Sequence, residues 1–442
     1  MSPSLSVEIE WLDQPAANDP VERKTWASVR ISVGHRLVTR LYDRGLQGER
    51  GAVYLPAFGL ARWIVTNWWF LLYETAYSET LPNLNYPIQF HQREWIARHS
   101  LRSADTGLLL PAMYLYSSGT EVCVHWVPDP IEGFPHMPAR FESNGHFYVD
   151  RSQVQMSLQN VVDTVLARCT GISSPDVERL RSEWSALMQA TDDERDFCGA
   201  AARMGLDAYR SDQMAASITA LLEEQGGEVE SSLVVRDFFE SAGPHEADAA
   251  WRDISLELKK RQYLLNDAPR PVPIEGYPPY RRGYAAAREV RRSLDLEDLE
   301  PIGAMSKFAR TIGKRGITFS DRQSLAFSKI RAITGENKER TILISGPKPP
   351  NRGAQRFLEA RGIYHSLYSN QGPRLITDAI TTDQQSARAF AAELLAPAAG
   401  LMTYLEENPN IEETKMVLDL ADKYQVNQKV VQWQLRNATF EP

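Results

Sequence analysis

Side chains able to hold a metal or move a proton converge on one stretch of this 442-residue chain, Gln355–Tyr368 (QRFLEARGIYHSLY), and on Asp383–Pro397 (DQQSARAFAAELLAP) just after it. Both carry apolar residues at helical spacing. A helix sets residues four apart on one face, so Arg361 and His365 would project side by side. Two histidines at that spacing, with a glutamate next to the first, would hold zinc and let the glutamate take a proton from zinc-bound water. Here the first position is Arg361, which is permanently cationic and repels a metal. The neighbouring position is Gly362, which has no side chain to act as a base. Glu359 lies six residues before His365, off its face, while Asp378 and Asp383 have no second histidine close by. The other seven histidines are scattered over the first 245 residues with no pair at ligand spacing. His365 with no second ligand at helical spacing does not make a zinc site, so neither a metal nor any other cofactor is predicted. No P-loop, GxGxxG or GxSxG motif supplies another chemistry.

The rest of the chain must position these helices. Its length predicts two or three domains. With 43% hydrophobic and 24% charged residues, the composition is that of a soluble globular protein. A net charge of −8 removes any global electrostatic case for nucleic-acid binding. Cys123, Cys169 and Cys198, odd in number and far apart, argue against a disulfide framework and fit a reducing cytoplasm. The acidic, alternating N-terminus is not a signal peptide. The most apolar run, Leu60–Tyr73, is too short for a membrane span and contains Arg62 and Asn67, so no membrane partner is expected.

Residues 1–150 predict an α+β domain. Ser6–Trp11 and Val29–Tyr42 alternate apolar and polar residues as half-buried strands do, with a tight turn at Gly34-His35. Pro56–Glu74 reads as one Trp-rich helix. Ala112–Tyr116 and Glu121–Val127 form a strand pair, and Arg140–Glu142 pairs with Phe147–Val149 across Ser143-Asn144-Gly145. Residues 151–265 switch to a helical period, with helices over Gln153–Arg168, Ser174–Met188, Asp192–Met204, Asp212–Gln225 and Ser231–Ser241. Gly205 reads as a helix C-cap before Ser211–Leu222, a helix-turn-helix spacing. Its second helix, DQMAASITALLEE, carries acid and no Arg or Lys, which argues against DNA readout there. The Pro-rich residues 266–277 read as a linker into a C-terminal domain over 278–442. That domain opens with an amphipathic helix over Tyr280–Leu294, continues through short strands at Ile317–Phe319 and Thr341–Ser345, and leads into the two focal helices.

The C-terminal third resembles the ImmA/IrrE family of zinc metallopeptidases. The family's first catalytic helix reads roughly RFTLAHELGH and its second E-x-E-A-N-x-F-A-A-E-L-L-M-P. Arg356, Phe357 and Ala360 match the first, and Phe390–Leu395 with Pro397 match the second. Val417–Asn437 (VLDLADKYQVNQKVVQWQLRN) is similar to the family's LAxxFGVSxxAVxxRLxxLG ending. Arg361 falls on the first zinc-binding histidine, Gly362 on the catalytic glutamate and His365 on the second histidine. Gln384 falls on the acidic zinc ligand, Ser386 on the next acidic position and Arg388 on the family's asparagine. Longer members carry similar Trp-rich N-terminal regions.

The resemblance implies a mostly helical, zincin-like C-terminal domain that keeps the frame of a peptidase and loses its catalytic groups. It further implies a cytoplasmic bacterial or phage-related protein serving as a protein-binding module, with a regulator or defence-complex subunit as partner, in a regulatory, mobile-element or antiphage system. Arg361, an arginine in the old cleft, is expected to pair with an acid such as Glu393 or Glu359, because burying an unpaired charge is costly. His365 is expected to be a hydrogen-bonded residue near a helix end, or else a relic ligand. Trp63, Trp68 and Trp69 are candidates for a partner surface, although most aromatics of such a region are core. Arg281, Arg282, Arg288, Arg291 and Arg292 are candidates for partner or nucleic-acid contact, although basic residues on a helix are usually a solvated face. Two further readings compete: an active metallopeptidase with non-standard ligands that cleaves a repressor-type partner, and a nucleic-acid-associated subunit using Arg281–Arg292 and the helices of Glu413–Asn437, where Lys and Arg are diluted by acids.

Overall fold

The computed structural model describes residues 3–12, 17–76, 90–105, 107–130, 139–261, 263–264, 278–369 and 372–440. The chain divides into two compact units, Met1–Ser211 and Asp212–Pro442. The architecture is mixed α and β, with antiparallel sheets near the N-terminus and a largely helical second half.

In the first unit, strands β1 (Leu5–Trp11) and β2 (Trp26–Val33) pair antiparallel around the short helix α1 (Pro20–Lys24), which Asp19 caps. Ala27, Val29, Ile31 and Val33 alternate into the core along β2. Gly34 takes φ +57, a left-handed conformation that suits glycine, and turns β2 into β3 (Arg36–Leu37). Strands β4 (Leu41–Asp43) and β5 (Gly48–Arg50) form a hairpin, and β6 (Val53–Pro56) returns to pair with β2. Helices α2 (Phe58–Thr66), α3 (Trp68–Tyr73) and α4 (Phe90–His99) follow, and then strands β7 (Ala112–Ser118), β8 (Glu121–Val127), β9 (Ala139–Phe141) and β10 (Gly145–Asp150). Helices α5 (Arg151–Arg168), α6 (Pro175–Gln189) and α7 (Asp192–Arg203) complete the unit. α5 lies against β1 and α2, so the helical region expected to begin its own domain at residue 151 starts as a wall of the first core.

Two local expectations change in this unit. The Trp-rich helix breaks at Asn67, whose side-chain amide donates to Trp63 O at 2.9 Å, a bond that competes with continuing the helix. The Asn144-Gly145 hairpin does not form. β9 pairs with β4, whereas β10 pairs with β8. Gly145 is where β10 crosses the Trp126 ring, which occupies the space a Cβ would need.

The second unit contains α8 (Ala216–Gln225), α9 (Leu233–Phe239), α10 (Ala247–Lys260), α11 (Pro279–Ser293) and α12 (Met305–Thr311). Strands β11 (Gly316–Asp321), β12 (Ile330–Glu336) and β13 (Thr341–Gly346) lead to α13 (Arg352–Tyr368), β14 (Arg374–Thr377) and α14 (Thr382–Leu395). Helices α15 (Ala398–Glu407), α16 (Glu413–Tyr424) and α17 (Gln428–Phe440) end the chain. The sheet order is β11-β13-β12-β14, with β11 parallel to β13 and the other pairs antiparallel. α13 packs on this sheet, and α11 packs closely against α14. α7 and α8, the pair with helix-turn-helix spacing, fall in different units with a 3₁₀ segment between them. The predicted linker over 266–277 lies outside the described residues.

Candidate functional site

α13 starts at Asn351, whose side chain accepts from Ala354 N at 2.9 Å. Arg356 ties its first turns to the preceding loop by donating to Ile302 O (2.8 Å) and Gly303 O (2.6 Å). Beyond that anchor the helix is buried on nearly every side, because the sheet lies under one face and α14 against another. This burial decides what the chemistry-bearing positions become.

Gly362 is a packing residue. A Cβ there would meet Ile344 Cδ1 of β13 at 2.9 Å and Thr334 Oγ1 of β12 at 3.2 Å, so a side chain at 362 would run into the sheet. Arg361 is 4% exposed and points inward. Its Nη2 donates to Thr377 O at 2.6 Å and to Gln384 Oε1 at 2.8 Å. Neither expected carboxylate is its partner. Glu393 accepts from Arg288 Nε (2.7 Å), Gln434 Nε2 (2.7 Å) and Ala398 N (3.1 Å), while Glu359 accepts from Gln355 (3.0 Å). Burial and the nearby Arg388 pull the Arg361 guanidinium below its ordinary pKa, and Asp378 and Asp237 pull the other way.

Gln384 is the hub. Its Oε1 also accepts from Thr377 N (3.0 Å), and its Nε2 donates to Leu375 O (2.8 Å) and to Asp237 Oδ1 (3.2 Å). A glutamate at 384 could not make those last two donations. Asp237, on α9, takes Arg374 in a two-pronged pair (2.7 and 2.9 Å) and accepts from Leu375 N (3.0 Å) on the outermost strand of the sheet. Asp383 reaches Arg374 at 3.0 Å. Burial opposes the charge on Arg374, but its two acids outweigh that and raise its pKa. Ser386 and Arg388 serve structure. Ser386 donates to Pro279 O at 2.9 Å, joining α14 to α11, and Arg388 reaches Ala379 O at 3.1 Å.

His365 is 3% exposed, and neither ring nitrogen meets a hydrogen-bond partner among the described residues. The expected hydrogen bond near a helix end is therefore absent from this set. Burial, then Arg374 and Arg361, push its imidazole well below the ordinary pKa, so it is neutral at pH 7. Among the described residues, no group of three or more His, Cys, Asp or Glu side chains is placed to hold a metal ion.

The proposed contact residues divide in the same way. Trp63 and Trp68 are core, the first donating to Ala97 O at 3.3 Å and the second edge-on to Trp184 at 5.1 Å. Burial removes both from any partner surface. Trp69 is half-buried, with its indole nitrogen 3.4 Å from Tyr209 Oη. Arg291 is buried, donating to Leu394 O and Glu300 O at 2.9 Å each, and Arg288 is drawn to Glu393. Burial withdraws Arg291 from a basic contact face, whereas Arg288 stays exposed beside Glu393. Arg281 and Arg282 are half-buried, and Arg292 is exposed.

Asp237, Arg374 and Gln434 were not among the residues singled out by sequence. Asp237 lies 137 positions before Arg374, and no short-range pattern links them. No family model matches the chain, and neither does any curated protein.

Proposed function

We propose that the second unit is a zincin-like, ImmA/IrrE-like frame that has exchanged catalysis for internal bonding, and that the chain acts as a protein-binding or scaffold module in a bacterial regulatory, mobile-element or antiphage system. The observation that carries this reading is the Arg361–Gln384 pair. The positions of a first zinc histidine and an acidic ligand are bonded to each other, and the position of the catalytic base is a glycine against the sheet. The order of helix, mixed sheet, α13, strand and α14 also agrees with the resemblance of the C-terminal third.

A frame of this kind keeps two helices in fixed relation without a metal. Zinc would bridge α13 to α14 through its ligands. Here Gln384 and Arg361 form that bridge with neutral and cationic groups, and Asp237 extends it to α9. The partner surface lies on exposed residues, since the core aromatics and most bonded arginines are consumed by the fold.

Metal analysis of the purified chain tests the loss of catalysis, and the expected content is far below one zinc per chain. Stoichiometric zinc that disappears in His365→Ala would overturn the reading. Affinity capture from the native host is expected to return a stable protein partner, and repeated recovery of the chain alone would count against the scaffold role.

A further inference from the structure

β1 is an outer strand of the first sheet, and its hydrogen-bonding direction is fixed at both ends. Gly34 N donates to Ser4 O and Leu12 N to Trp26 O, each at 2.9 Å. An antiparallel ladder bonds alternate residues, so Ser4, Ser6, Glu8, Glu10 and Leu12 face β2. Leu5, Val7, Ile9 and Trp11 therefore turn their N–H and C=O groups away from the sheet. Leu5 O accepts from the Ser157 hydroxyl at 2.6 Å. The outward groups of Val7, Ile9 and Trp11 meet no hydrogen-bond partner among the described residues. Unpaired backbone groups of a folded chain face water, and these three residues are only half-buried. β14, an outer strand in the second unit, is closed by contrast. Asp237 accepts from Leu375 N, Gln384 donates to Leu375 O and accepts from Thr377 N, and Arg361 donates to Thr377 O.

We infer that the open edge of β1 takes an added strand, an extended segment of a partner protein that alternates basic and apolar residues. Bonded pairs at Val7, Ile9 and Trp11 supply its main-chain hydrogen bonds. Its residues opposite Glu8 and Glu10 lie on the solvent face, two positions apart. Both glutamates are exposed, Glu10 lies across from Ser28, and no ion pair joins Glu8 to Arg30 across from it. Lysine or arginine therefore belongs at those two positions. The residue between them shares the face of Val7, Ile9 and Trp11, which pack on the core, and is apolar. A second copy of this chain is disfavoured, because β1 against β1 in antiparallel register about Ile9 sets Glu8 opposite Glu10. This edge belongs to the first unit, so it stands apart from the pseudo-peptidase reading of the second.

The test uses the full chain and a fluorescein-labelled, end-blocked peptide alternating lysine and valine, followed by fluorescence anisotropy. Saturable binding is expected. N-methylating the valine amides, which face β1 in the added strand, should abolish it. N-methylating the lysine amides, which point away, should leave it in place. A peptide alternating glutamate and valine should not bind. In the double variant E8K/E10K, whose two positions are exposed, the lysine–valine peptide should bind roughly 5- to 100-fold more weakly. No saturable binding, equal binding of the valine-methylated peptide, or undiminished binding by E8K/E10K would overturn the site. Dimerisation of the native chain in sedimentation that is lost in Ile9→Pro, which removes the middle outward N–H, would make a second copy the occupant and overturn the partner class. Zinc content is unaffected by any of these outcomes, so failure here is distinct from failure of the pseudo-peptidase reading.

Discussion

At the scale of residues, the second unit turns on a few buried polar atoms whose partners come from far away in sequence. Asp237 accepts from Arg374, Leu375 N and Gln384 together, so truncating it strands a guanidinium, an edge-strand N–H and an amide. Asp237→Ala is expected to lower the unit's unfolding free energy by about 3–5 kcal/mol, the usual effect of breaking one side of a buried pair. Denaturant titration reads it directly, and a loss under about 1 kcal/mol would show Asp383 to be Arg374's sufficient partner. Gly362 makes the opposite point. Gly362→Glu introduces a carboxyl group but drives a side chain into Ile344 and Thr334. The expected result is a destabilisation of roughly 1–3 kcal/mol with no gain of peptidase activity. A variant that gained zinc-dependent cleavage would mean that the helix can turn this position toward substrate.

At the scale of elements, α11 lies tightly on α14. Gly283 of α11 lies where a Cβ would meet Ser386 O and come within 2.7 Å of Ala389 Cβ, while the Ser386 hydroxyl bonds Pro279 O. Gly283→Ala would gain about 1 kcal/mol from helix propensity in isolation. The crossing should dominate, giving a net loss of roughly 1–3 kcal/mol. A thermal midpoint equal to or above that of the native chain would show that the two helices can separate without penalty. Elements also account for what was readable in the sequence. α13 and α14 were predicted from their apolar spacing and are observed at Arg352–Tyr368 and Thr382–Leu395. β12, β14 and α10 had no comparable sequence reading. β14 is four residues long, too short for a period to register, and its burial depends on α9 and α13.

For the molecule as a whole, charge and pH separate the two units' behaviour from that of a nucleic-acid binder. Net charge is −8, and of the arginines of α11, Arg291 is buried and Arg288 is ion-paired with Glu393. Retention on DNA or RNA is therefore not expected even at about 50 mM salt. Binding that weakens steeply as salt rises would require a basic surface elsewhere. In the first unit, Glu74 is buried beside His99 (2.9 Å) and Arg98 (2.7 Å from Nε). Burial alone would raise its carboxyl pKa, but His99 and Arg98 outweigh that and hold it below the ordinary value. A depressed carboxyl contributes stability that is complete above the unfolded pKa, near 4.3, and is lost as pH falls through the folded value. Glu74→Gln should therefore cost roughly 3 kcal/mol at pH 7, and the gap from the native chain should narrow below about pH 4.3. A gap that stays constant from pH 7 to 3 would remove the linkage.

Read without tertiary structure, the sequence is sufficient to determine the mixed α and β class, the strand alternation of β2, the Gly34 turn and the two focal helices. Each depends on short-range periodicity or on one residue's backbone freedom, and these need no distant partner. It also determines that His365 has no second histidine at ligand spacing, because that is a matter of residue type. Only the tertiary structure decided what Arg361 and Gln384 bond to. Arg361 bonds to Gln384 and Thr377 O, and the buried carboxylate that shares Gln384, Asp237, arrives on α9 from more than a hundred residues upstream. The pairing of β9 with β4, against the local Asn-Gly signal, has the same origin. Buried charges and strand edges are satisfied by whatever the fold brings near, and sequence spacing does not encode that proximity.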